Sequence, residues 1–126
     1  MPVTIISIED ETEMAEFLGV ALNGPDIQIV SSGTALDGLE LVRKLHPALV
    51  LIDIVLPDMD GWSVYDAIRH DPQLVDMPVI MVTGLRREFQ PRRLFRSTAR
   101  DAYLTKPFDT AQLRSLIEQM LGVHIW

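Results

Sequence analysis

The stretch that decides the fold is Leu49-Val50-Leu51-Ile52-Asp53-Ile54-Val55-Leu56-Pro57-Asp58-Met59-Asp60-Gly61. An apolar run ends in a carboxylate, and a turn punctuated by Pro57 and Gly61 follows at once. Val50, Leu51 and Ile52 show no alternation, so they read as a strand buried on both faces. Asp53 then stands at the carboxyl end of that strand, the edge at which open α/β sheets bind their ligands. An acid held there by a rigid strand can act as a nucleophile or a metal ligand. The plainer alternative is that Asp53 caps the turn, and the rest of the chain has to decide between the two.

Upstream, Ile5 to Ile8 form a short apolar strand that runs into Glu9-Asp10-Glu11, three acids without a basic neighbour. Met14, Phe17, Leu18, Ala21 and Leu22 then recur at helical spacing until Asn23-Gly24-Pro25-Asp26 stops the helix. Ile27-Gln28-Ile29-Val30 is the next strand, and a helix packed through Ala35, Leu39 and Val42 ends before Pro47. Downstream of Gly61, a short helix from Trp62 to Arg69 turns Val64, Tyr65 and Ile68 inward and is closed by His70-Asp71-Pro72. Pro78 to Val82 is a second fully buried strand that ends in Thr83-Gly84. A less regular segment, Leu85 to Arg100, precedes the last strand, Ala102-Tyr103-Leu104. In the final helix Asp109 caps, Gln112 completes a capping box, and Leu113, Leu116, Ile117, Met120 and Leu121 make the buried stripe up to Gly122. Five strands alternating with five helical segments imply a parallel α/β sheet with right-handed crossovers, and no linker or repeat interrupts residues 1–126.

The bulk composition narrows the function classes. A chain of 126 residues fits one domain with a core large enough to stand without staples. Cysteine is absent, which removes disulfides and thiolate metal sites. No basic segment precedes an apolar stretch at the N-terminus and no apolar run reaches membrane-spanning length, so the chain reads as soluble and cytoplasmic. A net charge of −7 argues against direct nucleic-acid binding.

At the carboxyl ends of the apolar strands stand Glu9 and Asp10, then Asp53, Thr83 and Lys106. In a parallel sheet all of them emerge on one edge. Carboxylates packed this closely repel by about 1–4 kcal/mol per pair, depending on screening, and call for a cation. Hard oxygen ligands with room for water suit Mg²⁺. With the Lys106 ammonium and the Thr83 hydroxyl the group makes a cradle for a dianionic phosphoryl group, and the carboxylate inside it is Asp53. Phosphoryl transfer asks chiefly for placement and neutralised charge, which such a set supplies.

The sequence resembles the receiver domains of two-component response regulators over essentially its whole length. The resemblance rests on Glu9-Asp10, on Asp53 with its Leu-Pro-x-x-x-Gly turn, on Thr83-Gly84, and on Tyr103-Leu104-Thr105-Lys106-Pro107-Phe108. It implies a flavodoxin-like, doubly wound sheet of five parallel strands in the order 2-1-3-4-5 with five helices. It implies Asp53 as phosphoacceptor, Mg²⁺ held by Asp10, Asp53 and the Val55 backbone carbonyl with Glu9 assisting through water, and Thr83 and Lys106 on the phosphoryl oxygens. Tyr103 would change rotamer when Thr83 moves. A histidine kinase or histidine phosphotransfer protein would be the donor, since His46, His70 and His124 lie on unrelated segments. Output would be read by a partner protein at the fourth helix, last strand and last helix, and a homodimer is left open.

The sequence departs from the family between Thr83 and Lys106. Ala99 stands where a glycine is usual, and Pro91 restricts the fourth helix to a short one beginning at or near that residue. The same segment carries Arg86, Arg87, Arg92, Arg93, Arg96 and Arg100, a basic patch on an acidic protein. Either these arginines form a solvated face paired with nearby acids, or they bind an acidic partner surface. Asp58 and Asp60 read as solvated turn acids, and Glu11 as a first-turn helix acid. A pseudo-receiver with idle chemistry is the competing function, disfavoured because all the site positions hold competent residues. A phosphate-ester hydrolase would want an acid where Val55 stands, and a nucleotide-binding domain would want a glycine-rich loop. An enzyme turning over an external substrate is therefore not expected. After Gly122 only Val123-His124-Ile125-Trp126 remain, which leaves the chain as a stand-alone receiver or part of a longer protein.

Overall fold

The computed structural model describes residues 2–84 and 98–126. Along the chain these form β1 (Val3–Ile8), α1 (Thr12–Ala21), β2 (Ile27–Ser32), α2 (Ala35–Leu45), β3 (Leu49–Asp53), α3 (Gly61–His70), β4 (Val79–Thr83), β5 (Asp101–Thr105) and α4 (Thr110–Leu121). The strands make one parallel sheet in the order β2-β1-β3-β4-β5, as the resemblance implied. Four helices stand among the described residues where five were expected. The missing one, expected to begin near Pro91, falls on residues 85–97, outside the described part.

The strand order places the site. From β1 the chain steps outward to β2 and then returns past β1 to β3, so the crossovers change direction between β1 and β3. A crevice opens at such a switch point, outside the strands' carboxyl ends. Ile8 lies opposite Ile52 and Asp53 opposite Val82, which brings the residues after β1 level with the end of β3. Every residue of β3 and β4 is buried, in keeping with their uninterrupted apolar sequence. One face of the sheet packs Ile6, Ile8, Val50, Ile52, Val79 and Met81 with residues of α2 and α3. The other packs Ile5, Leu49, Leu51, Ile80 and Val82 with residues of α1 and α4.

Local chemistry sets the helix ends. Thr34 accepts from the Asp37 amide at the start of α2, and Asp109 and Gln112 form the expected reciprocal capping box on α4, which ends at Gly122 with a left-handed φ of 68°. Asp60 is exposed, as the sequence suggested, and it also caps α3, its carboxylate accepting from the Ser63 amide. Glu11 occupies the N-cap position of α1, one place ahead of the first turn, and makes no side-chain capping bond. Trp62, which the helical pattern did not single out, is buried beside Tyr65, ring edge to ring face. The last residues fold back on the body: Glu118 accepts from the Ile125 and Trp126 amides, and the Trp126 indole donates to the Asn23 carbonyl at 3.1 Å.

At the rim opposite Asp53, Arg69 ties three segments together. Its guanidinium donates to the Met77 carbonyl at 2.7 Å, the Arg100 carbonyl at 3.0 Å and Asp101 Oδ1 at 2.7 Å, and lies 5.0 Å from the Tyr65 ring centre. The Arg69 and Asp101 side chains are only 16% and 18% exposed, so the pair is shielded and hydrogen-bonded as well as charged. Arg69→Met is expected to lower unfolding free energy by about 2–4 kcal/mol, because Asp101 loses its partner while still largely buried. Urea denaturation measures it, and a loss below about 0.5 kcal/mol would mean the arginine is a surface group of little consequence.

Candidate functional site

Glu9 and Asp10 follow β1, Asp53 ends β3, Thr83 ends β4 and Lys106 follows β5, so one sheet edge delivers five side chains from four strands. The geometry is close. Lys106 Nζ lies 3.2 Å from Asp53 Oδ2 and 3.3 Å from Glu9 Oε2. One carboxylate oxygen each from Glu9, Asp10 and Asp53 lies within 4.8 Å of the other two. Asp53 and Glu9 are each 5% exposed, whereas Asp10 faces solvent. Two buried acids and a partly buried lysine thus stand beside one acid open to water.

Backbone bonds hold these groups in place. Asp53 Oδ1 accepts from the Val55 amide at 2.9 Å, which fixes the rotamer of the acid against its own turn. Glu9 Oε1 accepts from the Glu11 amide at 3.1 Å. The Lys106 amide donates to the Thr83 carbonyl at 2.6 Å, so the ends of β4 and β5 are joined directly. Thr83 is buried, and its side chain shares a sheet face with Met81 by the two-residue alternation of a strand. Tyr103 lies opposite Met81 and packs against the α2 and α3 side, so Thr83 and Tyr103 stand on one face a pleat apart.

Gly61 closes the Asp53 turn from beneath. Its amide donates to the Ile54 carbonyl at 2.7 Å, and Val55 and Asp60 pair across the turn. A Cβ on Gly61 would strike the Asp53 carbonyl oxygen and lie 2.8 Å from Ile54 Cα. Gly61→Ala therefore has to displace the backbone that carries Asp53. Expected is a loss of about 1–3 kcal/mol in stability, read by urea denaturation; a variant as stable as wild type would show that the turn yields freely.

Electrostatics at the edge point to a cation. Burial, then the neighbouring Asp53, pushes the Glu9 carboxyl up to about 8, against the opposing pull of Lys106 and the Glu11 amide. Burial lowers the Lys106 ammonium, but the charges and hydrogen bonds of Asp53 and Glu9 outweigh it and its pKa is raised. Three carboxylates against one ammonium leave an excess of negative charge that Glu9 relieves by holding a proton. A hard divalent ion relieves it equally well, and the donor set fits Mg²⁺: carboxylate oxygens only, with solvent access at Asp10.

The raised Glu9 value fixes the sign of a pH effect. Between its ordinary 4.5 and about 8 the folded protein holds a proton that the unfolded chain has released, so folding stability falls as pH rises through that window. In buffer with chelator, Glu9→Gln is expected to gain stability relative to wild type progressively across it and to match wild type below pH 4.5. Urea midpoints against pH measure this, and a pH-independent difference would exclude a proton on Glu9.

The sequence-derived site residues fall in two places. Glu9, Asp10, Asp53, Val55, Thr83 and Lys106 come together at the carboxyl rim, with Tyr103 beside them. Arg86, Arg87, Arg92, Arg93 and Arg96 lie outside the described residues. Arg100 stands before β5, at the amino end of the strands, where it pairs with Asp76 at 2.6 Å. Asp58 is the group whose partners sequence reading misses: it is exposed, as a solvated turn acid should be, yet its two oxygens accept from the Ala35 amide at 2.8 Å and the Leu36 amide at 3.0 Å. Those bonds hold its carboxyl below the usual range. The clue in the sequence was the start of α2, whose first two amides had no local acceptor.

A parallel sheet in this order, with clustered acids and a lysine at its carboxyl rim, is the arrangement of a two-component signalling domain. The chain belongs to the response regulator receiver domain family, whose model matches residues 5–118. It is 33% identical over 119 residues to the DNA-binding dual master transcriptional regulator RpaA of Synechocystis sp., a match covering 93% of this chain and 48% of that protein. It is 27% identical over 122 residues to the polar-differentiation response regulator DivK of Brucella ovis, covering 97% and 98%. Its backbone superposes on a sensor protein from Polaromonas sp. with a TM-score of 0.82 at 27% identity, covering 95% and 96%. The chain spans about half the length of several curated relatives, RpaA among them. Among the described residues no helix is long and apolar enough to cross a membrane.

Proposed function

We propose that this chain is a phosphoacceptor switch that takes a phosphoryl group onto Asp53 from the phosphohistidine of a histidine kinase or phosphotransfer protein. The observation that carries the reading is the convergence of Lys106 Nζ, 3.2 Å from Asp53 Oδ2, with the Glu9 and Asp10 oxygens on the same acid. Asp53 attacks phosphorus as a carboxylate, a P–O bond forms, the P–N bond of the donor breaks, and its electron pair stays on the imidazole. Asp10, Asp53 and the Val55 carbonyl would hold Mg²⁺, with Glu9 behind them through water. Bound there, Mg²⁺ supplies neutralisation of charge on the phosphoryl oxygens.

The remaining work falls to the chain's own groups. The Val55 amide holds Oδ1 of Asp53 and Lys106 holds Oδ2, which aims the carboxylate. Lys106 then follows the incoming charge from Asp53 to the phosphoryl oxygens, and the Thr83 hydroxyl turns toward them. Tyr103 on the same sheet face takes up the space that Thr83 changes, and β5 carries the change to a partner-binding face formed with the last helix. The domain promotes its own modification and turns over no external substrate.

Incubation with acetyl phosphate and Mg²⁺ is expected to add one phosphoryl mass to wild type and none to Asp53→Asn, and chelator is expected to abolish the gain. Intact-protein mass spectrometry reads it. An unlabelled wild type in the presence of Mg²⁺ would leave a receiver fold serving as an interaction module with idle chemistry.

A further inference from the structure

Asp58 sits at the tip of the turn that begins at the phosphoacceptor, and its carboxylate spans two backbone amides of another element. The bonds run to Ala35 and Leu36 at 2.8 and 3.0 Å, across 23 and 22 residues of sequence. Helix N-termini expose amides without partners inside the helix. At α2 the third of them, Asp37, is satisfied locally by Thr34, and Gly38 donates to the Thr34 carbonyl. The first two have Asp58, so one end of the helix is completed by a loop it does not adjoin in sequence. A negative charge there also meets the positive end of the helix dipole.

The same loop is also anchored at its base and by Ile54, Leu56 and Met59, which pack into the core on the α2 and α3 side. At its base Gly61 bonds the Ile54 carbonyl, Val55 pairs with Asp60, and the Val55 amide bonds Asp53 Oδ1. The Val55 side chain is 43% exposed, so its backbone is placed by these bonds and by its chain neighbours rather than by its own packing. The α2 end is itself braced: Ser32 Oγ donates to the Thr34 carbonyl, and the Ser32 carbonyl accepts from the Glu9 amide at 2.9 Å. A continuous run of bonds thus links the acid after β1, the start of α2, Asp58 and the Asp53 turn.

We infer that Asp58 is a positioning residue: by clamping the β3–α3 turn to the amino end of α2, it sets the Val55 backbone for Mg²⁺ binding beside Asp53. This rests on the function proposed above, and goes beyond it by giving a task to an acid that touches neither metal nor phosphoryl group. Removing the clamp takes away the polar tie between the turn and α2 and leaves the tip held by the packing of Leu56 and Met59, so the Val55 carbonyl is aimed less closely at the metal position.

Three variants test it. Mg²⁺ titration by calorimetry on wild type, Asp58→Ala, Asp58→Asn and Thr34→Ala is made well below each unfolding midpoint. Asp58→Ala is expected to weaken Mg²⁺ by about tenfold, the scale seen when a group supporting a metal ligand is lost. Asp58→Asn keeps one acceptor oxygen and is expected to fall between Ala and wild type. Thr34→Ala removes a capping bond of the same helix without touching the turn, and is expected to lower stability yet leave Mg²⁺ affinity within about twofold of wild type, far from the tenfold loss. Unchanged affinity in Asp58→Ala would overturn the inference, as would equal loss in Asn and Ala, since charge alone would then explain it. Weakening in Thr34→Ala as large as in Asp58→Ala would overturn it too, by making helix stability the cause. A wild type that binds no Mg²⁺ would instead remove the proposed function along with this inference.

Discussion

The carboxyl rim of this sheet holds like charges together against their repulsion, and the rest of the molecule supplies the rigidity that makes it possible. Glu9, Asp10 and Asp53 bring carboxylate oxygens within 4.8 Å of one another, two of the acids almost wholly out of water. In a soft scaffold such groups would part. Here Asp53 closes a strand buried at every residue, and β1 and β3 are hydrogen-bonded neighbours, so separating the acids would mean breaking the sheet. Lys106 offsets part of the repulsion by contacting Asp53 and Glu9 together, and a proton on Glu9 offsets more. The acids are thus held in one fixed arrangement by the sheet itself, which is the preorganisation that ion binding in a fixed geometry requires.

The two ends of the sheet divide the labour. At the amino end, Arg69 bonds carbonyls of the α3–β4 connection and the entry to β5 as well as Asp101, and Arg100 pairs with Asp76. These contacts hold the frame and leave the carboxyl end to loops built around function. That end is not loose either: Asp58, Thr34, Ser32 and the Glu9 amide join the loops after β1, β2 and β3 into one bonded rim. A loop edge tied in this way can respond to charge at Asp53 without being disordered by it.

Sequence reading reached the architecture because the architecture is written in burial. The unbroken apolar runs of β3 and β4, the capping box at Asp109 and Gln112, and the competent residues after four strands are all local signals. What escaped it depends on partners distant in the chain. Asp58 and Asp60 look alike on paper, both acids in a polar turn, yet one caps the helix that follows and the other a helix more than twenty residues earlier. Arg69 reads as the polar end of a short helix, and only the fold brings it to Asp101. The closing Val123 to Trp126 reads as a remnant, whereas Glu118 and Asn23 fasten it to the body. Periodicity reports which face of an element is dry, and is silent about which polar atom meets which across the tertiary structure.

How a change at Asp53 could be read elsewhere follows from the bonds Lys106 makes. Its ammonium is divided between Asp53 and Glu9, while its amide is fixed to the Thr83 carbonyl. New negative charge at Asp53 competes with Glu9 for the ammonium, but the amide bond keeps the backbone of Lys106 in register with β4. The response is thereby steered into side chains rather than into slippage of the strand. Thr83 lies on the sheet face shared with Tyr103, and β5 is the outer strand of the sheet on that side, paired with β4 among the described strands. The acid that ends β3 and the edge strand β5 are thus joined through one residue, whose ammonium meets Asp53 and whose amide meets β4.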